Sequence, residues 1–75
     1  MTKTDLLHYL RRHGSADAFE VAERFELEYP AAAMALLRLT RQSLAARRLD
    51  SETGLYWYEL TEQGQRRLSY FESLT

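Results

Sequence analysis

Apolar residues recur at helical spacing through the first 44 positions of this chain, alternate over the next 16, and return to helical spacing at the end. Leu6, Leu7 and Leu10 make one apolar stripe while Asp5, His8, Arg11 and Arg12 face elsewhere, which predicts a first helix from about Thr4 to Arg12. His13 lies in its last turn, where the helix dipole favours a cation, and Gly14 suits the left-handed conformation that closes a helix. Asp17 is the expected N-cap of a second helix, with Glu20 three residues on as its reciprocal partner in an Asp-headed capping box. Val21, Ala22 and Phe25 then face inward, and the small Ala22 suits a close helix crossing. The turn is Glu26-Leu27-Glu28, with Leu27 pointing into the core.

A third helix is predicted to begin at Pro30, because proline fits the first helical position and drives the preceding Tyr29 into the extended form of an N-cap. Ala31 to Ala35 are strong helix formers, Leu36 and Leu39 supply the core stripe with Ala32 or Ala35 above them, and Ser43-Leu44 ends the helix. Alternation then predicts strands over 46–49 and 55–60, joined by Asp50-Ser51-Glu52-Thr53-Gly54. Tyr56, Tyr58 and Leu60 fall on one face, expected to be core, and Leu55, Trp57 and Glu59 on the other. Thr61 caps a last helix with Glu62 in its first turn, and Leu68, Phe71 and Leu74 are expected to line its apolar side.

Seventy-five residues form one domain, and the absence of cysteine leaves apolar packing to stabilise it. The N-terminus lacks the pattern of a secretion signal and no apolar run approaches a membrane span, so a cytoplasmic location and no membrane contact are expected. The net charge of −1 matters less than its distribution. Residues 31–50 carry Arg38, Arg41, Arg47 and Arg48 against Asp50, a balance of +3, whereas residues 17–28 carry five carboxylates against Arg24, a balance of −4. Catalysis has no visible apparatus. His8 and His13 are five residues apart, off a common helical face, and no nucleophile triad, phosphate-binding glycine loop or metal-ligand set is present, so neither enzyme activity nor a cofactor is expected.

The succession Glu20-Val21-Ala22-Glu23-Arg24-Phe25, Leu36-x-x-Leu39, Ser43-Leu44, Arg47-Arg48, a glycine-containing turn and Tyr58-Glu59-Leu60-Thr61 resembles a winged helix-turn-helix domain over nearly the whole chain. The resemblance implies an α+β, mostly helical fold over residues 1–75: a three-helix bundle, a β-hairpin wing paired with a short strand near Ser15-Ala16, and a C-terminal helix. Many members of that family place glycine where Ser43 stands, so here a less permissive residue must close the third helix. It also implies a regulator that binds double-stranded DNA, its third helix at the major groove with Arg38 and Arg41 on bases or phosphates and Arg47 and Arg48 on the adjacent backbone. The base-reading positions would fall near Pro30, Ala31, Ala33, Met34, Leu37 and Arg38, and of these only Arg38 can make a bidentate hydrogen bond to a base. Glu26 and Glu28 beside them repel phosphate. An alternative use of the same helix is therefore a protein interface, with Tyr29, Met34, Leu37 and Trp57 at the contact. Tyr70, Phe71 and Leu74 exceed what one core stripe needs and point to a homodimer through the final helix.

Overall fold

The computed structural model describes residues 1–74 and contains α1 (Lys3–His13), α2 (Ala18–Phe25), α3 (Tyr29–Arg41), β1 (Ala45–Leu49), β2 (Tyr56–Leu60) and α4 (Glu62–Ser73). Capping chemistry sets most of the helix ends. The Asp17–Glu20 box forms as expected: the Glu20 N–H donates to Asp17 Oδ1 at 2.8 Å and the Asp17 N–H to Glu20 Oε1 at 3.0 Å. A second box starts α1, where Thr2 Oγ1 accepts from the Asp5 N–H at 3.1 Å and Asp5 Oδ2 from the Thr2 N–H at 2.9 Å. Gly14 closes α1 at φ 81°.

Three helix ends fall on residues less suited to them, the first being Glu26, which closes α2 at φ 54°. The N-cap of α3 is Glu28, extended at φ −67° and ψ 148° and without a side-chain capping bond, one residue before the expected Tyr29. The Glu28 carbonyl accepts from the Ala32 N–H at 3.1 Å, so helical bonding begins there and Pro30 stands inside the first turn, where its missing N–H costs nothing. At the other end Ser43 does adopt the left-handed conformation, at φ 62°, and the Leu44 N–H reaches back to the Leu39 carbonyl at 2.9 Å.

The core lies where α1, α3, the hairpin base and α4 converge. Leu6, Leu7, Leu10, Val21, Leu36, Leu39, Leu44 and Leu68 are its largest fully buried side chains. Ala32 is buried beside Leu36 and Leu39, while Ala35 and Leu27 pack against the core only in part. β1 and β2 pair antiparallel from Ala45 opposite Leu60 to Leu49 opposite Tyr56. The short third strand is a single bridge: Ala16 and Tyr58 exchange both backbone hydrogen bonds, at 3.0 and 2.8 Å.

The expected inward faces are realised only near the hairpin base and the start of α4. Tyr58 is buried and Leu60 half-buried, but Tyr56 is 40 % exposed, lining an open cleft with Asp17, Ala18 and Tyr29 rather than entering the core. On α4, Leu68 is buried and Phe71 half-buried, whereas Leu74 is 64 % exposed, since it caps the helix beyond the reach of the core.

α4 is fastened at both ends. At its start, Thr61 Oγ1 accepts from the Gly64 N–H at 3.0 Å and donates to the Ser43 carbonyl at 2.6 Å, while the Thr61 N–H donates to the Leu44 carbonyl at 3.1 Å. Near its end, Arg11 of α1 makes a two-pronged ion pair with Glu72 at 2.7 and 2.8 Å. Among the described residues no helix is long and apolar enough to cross a membrane.

Candidate nucleic-acid interface

Arg38 and Arg41 occupy the last turns of α3, three positions apart and thus on one side of the helix, and both are exposed. The Leu36 and Leu39 stripe that buries the opposite side forces them outward. Arg38 also lines an open groove of about 380 Å³ between the start of α1 and α3, together with Met1, Lys3, Leu27, Ala31 and Gln42. Lys3 therefore adds a cation to the groove that Arg38 lines. No pattern in the chain signals this, because the pairing joins residues 35 positions apart.

Arg47 and Arg48 are both exposed on β1, but strand alternation sends them to opposite faces of the wing. Arg47 is paired with Tyr58, and its guanidinium lies 4.2 Å above the centre of the Tyr56 ring. The contact uses the flat face of the cation and leaves the N–H groups at its edge open. Arg48 is paired with Trp57 on the other face. Trp57 is half-buried and directs its indole N–H to Asp50 Oδ2 at 3.4 Å, within the wing. Asp50 is held below the usual carboxylate range, chiefly by the Glu52 backbone N–H and also by this indole. Among the described residues, none of these four arginines has a carboxylate partner.

The first half of α3 differs in kind. Pro30, Ala31 and Met34 are exposed and offer no donor to a base edge, and Ala33 and Leu37 are half-buried. Tyr29 is exposed and stacks on Phe19 of α2 with ring centres 4.5 Å apart. Phe19 went unnoticed in the sequence, although it stands off the Val21 and Phe25 stripe, where an apolar residue has no core to enter. Glu20, Glu23, Glu26 and Glu28, all exposed, lie between Phe19 and Tyr29 in the sequence. The expected interface residues are thus divided: Tyr29 and Met34 are open, whereas Leu37 and Trp57 are partly covered. At the far end of the molecule Tyr70 is 58 % exposed beside Leu74, with Phe71 half-buried.

His8 and His13 line a shallow groove with Asp5, Tyr9, Arg12, Arg24 and Phe25. Its floor is the Tyr9 ring, packed against both His13 and Phe25. Burial, and then the carboxylate of Glu20, pushes the Tyr9 phenol up from its ordinary value. Among the described residues no group of three or more His, Cys, Asp or Glu side chains is placed to hold a metal.

The fold is that of winged helix proteins of known structure. The chain superposes on the YusO protein from Bacillus subtilis with a TM-score of 0.83 at 28 % identity, over 89 % of this chain and 48 % of that one. It superposes on a Staphylococcus aureus MepR variant bound to an oligodeoxyribonucleotide with a TM-score of 0.86 at 24 % identity, over 96 % of this chain and 54 % of the other. A MarR family transcriptional regulator from Silicibacter pomeroyi DSS gives 0.83 at 23 % identity, over 96 % and 49 %. The chain thus spans about half the length of these proteins. No protein-family model matches the sequence, and no curated protein does.

Proposed function

We propose that this winged helix is a cytoplasmic DNA-binding module of a transcription regulator, gripping duplex DNA with Arg38 and Arg41 of α3 and Arg47 and Arg48 of the wing. The observation that carries the reading is that four exposed arginines, without carboxylate partners among the described residues, stand on the end of α3 and on the two faces of the hairpin of this fold. The structural likeness to a MepR variant bound to an oligodeoxyribonucleotide supports it. Of the side chains at the expected base-reading positions only Arg38 has the chemistry for a bidentate base contact, so on this reading most of the affinity comes from phosphates and depends little on sequence. The exposed Tyr70 and Leu74, with Phe71, would join two copies through α4, as paired half-sites on DNA require.

Amide resonances followed during titration with labelled duplex DNA at low salt test the reading. Shifts in residues 29–48 are expected, and their absence would overturn it. Sedimentation at tens of micromolar tests the dimer, which a single 8.8 kDa species would exclude.

The exposure of Tyr29 and Met34, at 43 % and 42 %, favours a second reading in which α3 contacts a protein, with Leu37 and Trp57 at the edges. Binding that survives high salt would select it over the first.

A further inference from the structure

We propose that the outer side of α2 and the start of α3 form a docking surface for a partner protein segment that carries arginine or lysine beside leucine or methionine. The proposal does not depend on DNA binding. Its centre is the Phe19 and Tyr29 ring pair, with Phe19 55 % exposed although it belongs to a well-capped helix. Phe19 and Glu23 stand four positions apart, so an aromatic ring and a carboxylate share one side of α2, and Glu26 is its C-cap. Glu28 follows at the N-cap of α3, and among the described residues Glu23, Glu26 and Glu28 have no ion-pair partner. The one cation on α2, Arg24, has its guanidinium over the Phe25 ring and off this side.

Glu26 closes α2 in the left-handed conformation, at φ 54°, its N–H directed to the Ala22 and Glu23 carbonyls. Beyond Tyr29 the surface continues into a cleft of about 60 Å³, lined by Asp17, Ala18, Gly54, Leu55, Tyr56 and Tyr58. That space admits the end of one side chain.

Charge decides the class of occupant. The segment from 17 to 28 has a balance of −4, so a cationic protein segment is drawn to the α2 side of this surface, whereas the cleft end carries the Arg47 cation over Tyr56. The exposed rings add apolar contact and a face for guanidinium stacking, a combination that a merely solvated acidic helix does not offer.

The test uses the whole 15N-labelled chain and, as probe, a short peptide of alternating arginine and leucine, with a glutamate-for-arginine peptide as control. The arginine peptide should shift amides of residues 19–29, and the control should not. Phe19→Ser, or Glu23→Gln combined with Glu26→Gln, should each weaken binding about tenfold. The paired glutamine variant keeps the test valid if Phe19→Ser does not fold. No shifts with the arginine peptide, equal binding of the control, or unchanged affinity in the folded variants would overturn the proposal. So would self-association abolished by Phe19→Ser, which assigns the surface to a second copy, or duplex DNA shifting residues 19–26. Loss of the DNA reading alone would show separately, as silent amides at residues 38–48 in the DNA titration.

Discussion

Behind the hairpin, α4 approaches the end of α3 so closely that a Cβ on Gly64 would lie 2.0 Å from the Leu44 carbonyl oxygen. In front, the far half of the wing and the outer side of α3 stay open: Leu49 is 54 % exposed, Met34 42 % and Tyr56 40 %. The same hairpin belongs to both regions, locked at Ala45, Tyr58 and Leu60 and free at its tip. The contrast teaches how a domain this small can present functional side chains. Its packing energy is concentrated at the rear, where α4, the α3–β1 turn and α1 interlock, so the arginines in front are held in place without being buried.

Gly64→Ala should give the largest effect. The atom it clashes with belongs to the backbone and cannot rotate away, so a loss of about 3 kcal/mol or more is expected in urea unfolding. A change within about 0.5 kcal/mol would mean the rear is not locked as described. Arg47→Ala or Arg48→Ala, in front, should do the reverse. Either should weaken duplex DNA binding across all sequences and lower the salt slope by about 0.9, with the thermal midpoint nearly unchanged. A loss confined to one DNA sequence would contradict the phosphate role.

A smaller effect separates the arginine from its platform. Tyr56→Leu should cost about 0.5 to 1 kcal/mol of DNA binding by releasing Arg47, while Tyr56→Phe should bind as the parent does. Equal binding by both variants would show that the ring contributes nothing.

The smallest effect belongs to the ion pair between α1 and α4. The Arg11 guanidinium holds Glu72 below its ordinary carboxylate value of 4.5, so the folded state favours the ionised form. That contribution is fully present above pH 4.5 and disappears as pH falls through the lowered folded value. Asp5 and Asp50 are lowered from 3.8 by backbone N–H groups, and their contributions are lost as pH falls through their own lowered values. Glu72→Gln should reduce the acid sensitivity of the thermal midpoint near and below pH 4.5, whereas the wing arginine variants should leave it intact. Identical acid profiles for Glu72→Gln and the parent would remove the pair from the rear scaffold.

What the chain disclosed in advance were features settled within a turn or two. The Asp17 cap, the Gly14 stop, the Leu36 and Leu39 stripe and the change to alternation after Leu44 each depend on near neighbours, and each is found in the structure. The closing role of Ser43 came from the resemblance, which places glycine there, and Ser43 stands at φ 62°. Gly64 was not legible. Its constraint comes from a carbonyl twenty positions earlier, and a glycine inside a helical pattern carries no mark of that approach. The exposure of Tyr56 and Leu74 was hidden likewise, because alternation and helical period assign a face but do not say how far the core extends beneath it. For the candidate interface, the charge segregation and the four arginines could be read directly. The division of Arg47 from Arg48 follows from strand alternation, whereas the Arg47 and Tyr56 contact required the register.

The most direct measurement is duplex DNA affinity over a range of salt concentrations. If the four exposed arginines each neutralise one phosphate, the logarithm of the association constant should fall against the logarithm of salt with a slope of about −3 to −4. A slope near zero, or no binding at low salt, would contradict the assignment of this face to nucleic acid.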